Sequence, residues 1–307
     1  MGQFSVKTRP VIDLPRPPAA PAAMGLIAGG GRLPVLVAQG MRQAGHPVMC
    51  VGLAGQYPRE LPGLCDRFME AGVLRIGGWS KKLRKMGAAY AVMVGRVDKA
   101  NLMHNKSAML RLLPDWRALK IYFGTARQDR RSHNMLGLLA DELARGGVLL
   151  IDSTVHIPDH MATMGVMTRH LPSISQQADM EFGWPVLAEL LSLDIGQAIA
   201  VRGRDIVAVE AVEGTDRMIE RAGALCSPRG ATGWTLLKGA RRGHDRRSDV
   251  PTIGPDTVRN LHAAGGRCIG VAAGDVIIVD KPETLALADS LGVAVVGMAP
   301  VSALQPR

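Results

Sequence analysis

The sequence predicts an α/β protein built as two α/β domains joined by a linker. Three observations predict it. From Met24 onward, short apolar runs of strand length alternate with amphipathic stretches of helix length, the pattern of a parallel sheet with helices on both faces. The first strand runs straight into three glycines and a helix, "MGLIAGGGRLPVLVAQGMRQAG", as in a Rossmann-like sheet. Between about Ser153 and Ile174 the pattern loosens, and a second, distinct α/β set then begins. The domains are accordingly 24–155 and 175–307, with 156–174 as linker and the proline-rich 1–23 as a flexible tail.

Each element follows from its local pattern. "MGLIAGG" is a strand and Leu33 to Gly45 a helix, with Pro34 suited to its first turn. "PVMCVGLAG" is the next strand. "GVLRIGG" leads into a short basic helix, "SKKLRKMGA", and Tyr90 to Val97 is a further strand. "NMLGLLADELARGG" is an amphipathic helix closed by glycines, and "VLLIDS" a fourth strand. In the second block "QADMEFGWPVLAELLSLDIG" is helical to about Leu193, and "QAIAVRGRDIVAVEAV" folds as two strands about a glycine turn. "TDRMIERAGAL" is a helix with Thr215 as its N-cap, and "TGWTLLKGA" a strand. "TVRNLHAAG" is a helix, "CIGVAAGDVIIVD" two strands, "KPETLALADSLG" a helix and "VAVVGM" the last strand.

Composition narrows the function. Apolar residues make up 47% of the 307, enough for a sizeable core, and aromatics only 4%, so that core is aliphatic. A net charge of +10 favours anionic partners: nucleic acid, anionic headgroups or phosphorylated metabolites. The sparse aromatics and the lack of any RNP or zinc-finger pattern argue against nucleic acid. Cys50, Cys65, Cys226 and Cys268 form no C-x-x-C pair, which reads as reduced, cytoplasmic usage. No apolar run reaches the ~20 residues of a membrane helix, and the start lacks the core of a signal peptide.

Four stretches carry candidate chemistry. Gly29, Gly30 and Gly31 lie where main-chain amides and a helix N-terminus can meet a phosphate. Their spacing is not G-x-G-x-x-G, because Pro34 holds the last position, so a dinucleotide is disfavoured. A bland tight turn stays open. Arg96, in "VGRVDKANL", follows a buried strand and can reach a phosphate or simply face solvent. "VEGTDRM" offers amides, a hydroxyl and the carboxylates of Glu213 and Asp216, or a plain helix cap. "LLKGARRGHDRRSDVPTIGPDTV" is the richest. It mixes Lys238, Arg241, Arg242, Arg246 and Arg247 with Asp245 and Asp249, which suits a diphosphate with Mg²⁺ or equally a self-paired charged loop. The eight histidines form no H-x-x-x-H cluster, and neither a G-x-S-x-G nor a Walker A pattern occurs.

Taken together, "GLIAGGGRLPVLVA", "SLDIGQAIAV", "EGTDRMI" and "DRRSDVPTIGPDTV" resemble the LpxI-type UDP-2,3-diacylglucosamine pyrophosphatases of lipid A synthesis, from about Met24 to Met298. The resemblance implies hydrolysis of the diphosphate of UDP-2,3-diacylglucosamine to UMP and 2,3-diacylglucosamine 1-phosphate, with Mg²⁺ or alternatively Mn²⁺. It implies a UDP-binding first domain and an acyl-sugar-binding, catalytic second domain. Gly29, Gly30, Gly31 and Arg32 match the nucleotide-side glycine loop, and Arg96 and Val97 the second nucleotide-side loop. Gly214, Thr215 and Asp216 match the "EGTD" motif, while Thr252 and Gly254 fall in the substrate-side "D-x-P-x-x-G" motif. Asp249 matches the catalytic carboxylate of that motif, expected to bind the metal and activate water. Lys238 and Arg247 are expected to stabilise charge on the diphosphate oxygens.

The sequence departs from the family pattern at two places. Arg241-Arg242-Gly243-His244-Asp245 stands where a "K-P-x-Q-D" pattern is expected, and Arg131-Ser132-His133 where a Gly-Asp pair is expected. Both alter charge in the expected cleft and bear on the choice of acyl-sugar or nucleotide-sugar. The expected setting is cytoplasmic, with transient attachment to the anionic surface of the inner membrane; homo-oligomerisation is left open. A non-catalytic nucleotide-sugar-binding regulator is the rival reading.

Overall fold

All five residues of β1 (Met24–Ala28) and all six of β2 (Val48–Leu53) are buried, as central strands covered on both faces must be. The computed structural model of the chain describes residues 14–97, 115–118, 132–226, 232–247 and 250–301. The described residues form two compact units, 14–158 with 245–247, and 159–244 with 250–301.

In the first unit β1 and β2 are joined by β3 (Arg67–Ala71), β4 (Tyr90–Val94) and β5 (Leu149–Leu150) in the order β3-β2-β1-β4-β5, every pairing parallel. Ile27, Val51, Leu53 and Ala91 of the strands pack with Trp79 and Leu83 of α2 (Ile76–Lys85) and Leu143 of α3 (Ser132–Arg145) in one core. A third helix, α1 (Leu33–Gln43), buries Val35, Leu36, Val37 and Met41. The parallel sheet expected from the sequence is therefore present. Two of its elements differ from the pattern. The strand β3 has only Ala71 buried, so it lacks the apolar run that marks the others. The helix α2 begins about one turn before "SKKLRKMGA" because its cap comes from far away. Asp115 accepts the Gly77 amide through Oδ2 at 2.7 Å and the Ala118 amide through Oδ1 at 2.9 Å.

The second unit holds a six-stranded sheet in the order β6-β13-β11-β9-β7-β8. Its strands are β6 (Gly165–Val166), β7 (Ala198–Arg202), β8 (Asp205–Val209), β9 (Trp234–Lys238), β11 (Gly266–Ala272) and β13 (Ala294–Met298). The trio β9, β11 and β13 is parallel and the remaining pairings are antiparallel. A separate parallel pair joins β10 (Thr252–Ile253) and β12 (Ile277–Ile278). Four helices accompany the sheet among the described residues: α4 (Ile174–Ser192), α5 (Thr215–Cys226), α6 (Pro255–Ala263) and α7 (Lys281–Ser290). Trp184, Leu187, Ile199, Leu236, Ile269 and Val295 lie in one continuous apolar core.

The stretch 156–174 carries structure of its own: a helical turn at Pro158–His160 and β6, which pairs with β13. It ends at Ser173, which caps α4 reciprocally with Gln176. Of the expected tail, residues 1–13 lie outside the described residues; within 14–23, Ala22 offers its carbonyl to the His46 Nδ1 at 2.9 Å. All four cysteines are free thiols. Among the described residues no helix is long and apolar enough to cross a membrane.

Candidate active site

In an open parallel sheet, ligands gather beyond the carboxyl ends of the strands. In the first unit β1 ends in Gly29–Gly30–Gly31–Arg32 and β4 ends in Gly95–Arg96–Val97. The structure brings these two predicted loops together. The Gly29 amide donates to the Val94 carbonyl at 2.9 Å. Gly30 and Arg96 then exchange both backbone bonds, 2.7 Å from the Gly30 amide and 2.9 Å from the Arg96 amide.

The glycines therefore divide by purpose. A Cβ on Gly29 would sit 2.7 Å from the Arg96 carbonyl oxygen, so that residue is glycine because two backbones touch. Gly31 has φ +90° and nothing within 4 Å of its would-be Cβ. Its amide has no hydrogen-bond partner among the described residues. It is Gly31, beside the N-terminus of α1, that faces open space. No side chain caps that helix and no acid sits in its first turn, which leaves its positive end to an anion. Arg32 is half-exposed and 3.7 Å from Glu60, while Arg96 and Val97 are exposed.

In the second unit, the antiparallel pairing of β7 with both β8 and β9 lines up Lys238, Ala198 and Glu210 at one end of the sheet. Lys238 is buried at 5% exposure and Glu210 at 8%. Between them stands the Thr215 hydroxyl: it accepts from Lys238 Nζ at 2.7 Å and donates to Glu210 Oε1 at 3.0 Å. Glu210 Oε2 also accepts from the Gln197 amide at 3.3 Å. Thr215 was expected to cap its helix. Its hydroxyl is instead the link between a buried cation and a buried carboxylate, which are costly to bury unless connected. Lys238 and Thr215, from two different motifs, thus come together. Glu210 was missed: it is a lone acid at a strand end with no spacing signal.

The other predicted residues are placed less centrally. Gly214 has φ +83° and open space around it, and Asp216 is exposed in the first turn of α5, 3.4 Å from Asn260 Nδ2 on α6. Glu213 is ion-paired to Arg221. Bonding to its own backbone amide, then to Arg221, holds its carboxyl below the usual range. Thr252 pairs with Ile277 in the small sheet, and Gly254 caps α6 with extended backbone.

Two arginines of the basic loop are paired. Arg247 grips Asp245 through Nε at 2.9 Å and Nη2 at 2.6 Å, and this carboxylate raises the guanidinium's pKa further. Arg246 donates from Nε to Asp152 Oδ2 and from Nη2 to Thr154 Oγ1, both at 2.8 Å. Asp249, the expected metal ligand and catalytic carboxylate, lies outside the described residues. Among the described residues no group of three metal-ligating side chains is set to hold an ion. Asp152, Asp245 and Glu210 all accept hydrogen bonds from other side chains.

Comparison with known proteins fits this division. The LpxI N-terminal domain model matches residues 23–160 and the LpxI C-terminal domain model residues 163–296. The chain is 30% identical over 286 residues to the UDP-2,3-diacylglucosamine pyrophosphatase LpxI of Caulobacter vibrioides, spanning 90% of this chain and 98% of that protein. With both family domains matched in order and a relative aligned almost end to end, the chain belongs to the LpxI family.

Proposed function

We propose that the protein hydrolyses the diphosphate bond of UDP-2,3-diacylglucosamine, releasing UMP and 2,3-diacylglucosamine 1-phosphate for lipid A synthesis. The observation that carries this reading is the end-to-end similarity to a relative that bears that activity in its name. In this reading the first unit takes the UDP. The Gly31 amide, the N-terminus of α1 and Arg32 approach a phosphate, with Arg96 and Val97 beside them. The second unit takes the acylated sugar near Gly214, Thr215, Asp216, Thr252 and Gly254.

Lys238 supplies positive charge to the diphosphate oxygens, where charge grows as the bond to the leaving phosphate breaks. Its ammonium is already oriented by Thr215, so little reorganisation is needed at the moment of reaction. Asp249 accepts the proton that the attacking water gives up. When bound, Mg²⁺ lowers the charge on the phosphates and the pKa of its water. One P–O bond forms to water and the anhydride P–O bond breaks, leaving two phosphomonoesters. Arg247 acts on this charge from beyond its fork with Asp245.

The protein attaches reversibly to anionic membrane through its basic surface, to which α2 contributes the exposed Lys81, Arg84 and Lys85. The test of the reaction is release of UMP by the unmutated protein and by Asp249→Ala, with Mg²⁺ and with chelator. Release from the unmutated protein with Mg²⁺ alone supports the reading. Undiminished release from Asp249→Ala, or in chelator, contradicts the role given to the carboxylate or to the metal.

A further inference from the structure

Three strand ends meet where Lys238 lies. Lys238 pairs with Ala198 across β9 and β7. Glu210, one residue past β8, continues the pairing of Val209 with Ile199, and its amide donates to the Ala198 carbonyl at 2.9 Å. Residues opposite one another in an antiparallel pair share a face, so Lys238, Ala198 and Glu210 stand in a row on one face of the sheet. Two strand spacings, about 10 Å, separate the outer two at their Cα atoms. The neighbouring pair on that face is Ala200 with Ala208, and these three alanines let α5 lie close on β7 and β8. Thr215, the first residue of α5, thereby brings its hydroxyl into the gap between Lys238 and Glu210.

The chemistry of the three groups allows one arrangement of the hydrogens. An ammonium only donates and a carboxylate only accepts. The Thr215 oxygen, 2.7 Å from Lys238 Nζ and 3.0 Å from Glu210 Oε1, therefore accepts from the first and donates to the second. The other carboxylate oxygen accepts as well, from the Gln197 amide at 3.3 Å. An amide at position 210 would turn its N–H₂ toward one of these two donors; turned to Thr215, it would leave the hydroxyl with donors on both sides. Glu210 is itself fixed in place. Its side chain is buried, and a Cβ on Gly196 would run into its carbonyl oxygen, so the two backbones touch.

We infer that Glu210 is a positioning residue for Lys238: by taking the Thr215 hydrogen it turns the hydroxyl's lone pair to the ammonium and so sets the directions of the ammonium's other two N–H bonds. The inference rests on the proposed reaction for its catalytic consequence. Glu210 does not touch the reacting atoms; it acts through Thr215. Without the carboxylate the hydroxyl hydrogen swings freely, and the ammonium must be oriented anew at each turnover. Loss of one preoriented donor costs on the order of 100-fold in kcat.

The experiment follows UMP release by the full chain with UDP-2,3-diacylglucosamine and Mg²⁺, in Glu210→Gln, Thr215→Val, Thr215→Ser and the double variant Glu210→Gln/Thr215→Val. Glu210→Gln and Thr215→Val each lower kcat by on the order of 100-fold with KM within about 3-fold. Thr215→Ser keeps the hydroxyl and recovers most of the kcat. The double variant is no slower than Thr215→Val alone, because the carboxylate acts only through that hydroxyl. A merely structural glutamate would multiply its own loss into the double variant, so independent losses overturn the inference. Equal kcat in Thr215→Val and Thr215→Ser overturns it too, as does a Glu210→Gln variant that changes KM alone. If circular dichroism shows Glu210→Gln unfolded, the Val and Ser pair decides. An unmutated protein that releases no UMP overturns the reaction instead. Urea unfolding of the same variants then tests the link itself, and additive stability losses for Glu210→Gln and Thr215→Val overturn it.

Discussion

Lys238→Met, Glu210→Gln and the two together should expose the charge pair buried in the second unit. Two hydrogen bonds through Thr215 separate the ammonium from the carboxylate, at 2.7 and 3.0 Å. The charges are therefore at most about 6 Å apart, and at an effective dielectric of about 20 their attraction is about 3 kcal/mol. Both groups are less than a tenth exposed, so salt should screen this little. Lys238→Met leaves the buried Glu210 carboxylate without the ammonium that answers it, and we expect a loss of about 3–5 kcal/mol. The double variant should be more stable than the sum of the singles by about 3 kcal/mol. The assay is urea unfolding by fluorescence, with Trp79 and Trp116 replaced by Phe so that Trp184 and Trp234, both in the core of this unit, report alone. Turnover separates charge balance from chemistry: the double variant regains stability and no activity. Additive single effects, within about 0.5 kcal/mol, would refute the reasoning.

Three further predictions follow from particular contacts. Gly29→Ala should cost about 1–3 kcal/mol and weaken UMP binding, because its Cβ meets the Arg96 backbone; Gly31→Ala, strained but unobstructed, should cost less, and calorimetric unfolding that reversed this order would contradict the division between them. The His156 imidazole lies against His46 with its Nε2 unpaired, and burial, then His46, lowers its pKa to about 4. The unfolded chain then binds a proton that the folded chain refuses, so stability falls as pH drops from about 6.5 to about 4, by about 3 kcal/mol; His156→Gln should remove that part of the slope, and parallel urea midpoints for the two proteins across this range would show the assignment to be wrong. Sedimentation with anionic vesicles should fall as salt rises from low to physiological strength and above, and recovery independent of salt would argue against attachment through the basic surface.

Much of the fold was legible because a parallel sheet writes itself as apolar runs. The strands β1, β2, β4 and β9 were read from such runs, and the glycine and Arg96 loops from their places at strand ends. The elements that escaped lack a local signal. Only Ala71 of β3 is buried, so it shows no run, and β6 has two exposed residues whose partner strand lies about 130 residues on. The helix α2 starts where it does because of an aspartate 38 positions away. The motifs could be read from the sequence; the partnerships of their residues could not. Nothing around Glu210 marks it as the acid that answers Lys238. Asp152 and Arg246 are 94 residues apart, and each reads alone as a surface charge. The sequence left open whether the basic loop serves a diphosphate or pairs with itself. Arg247 with Asp245 is a self-pairing, and Arg246 is bound to a turn that no motif includes.

The central claim is a reaction, and its products test it most directly. The purified chain, supplied with UDP-2,3-diacylglucosamine and Mg²⁺, should yield UMP and 2,3-diacylglucosamine 1-phosphate in equal amounts by mass spectrometry, with the yield abolished by Asp249→Ala. Tight binding of the substrate with no product over many hours would contradict the account and favour a nucleotide-sugar-binding regulator.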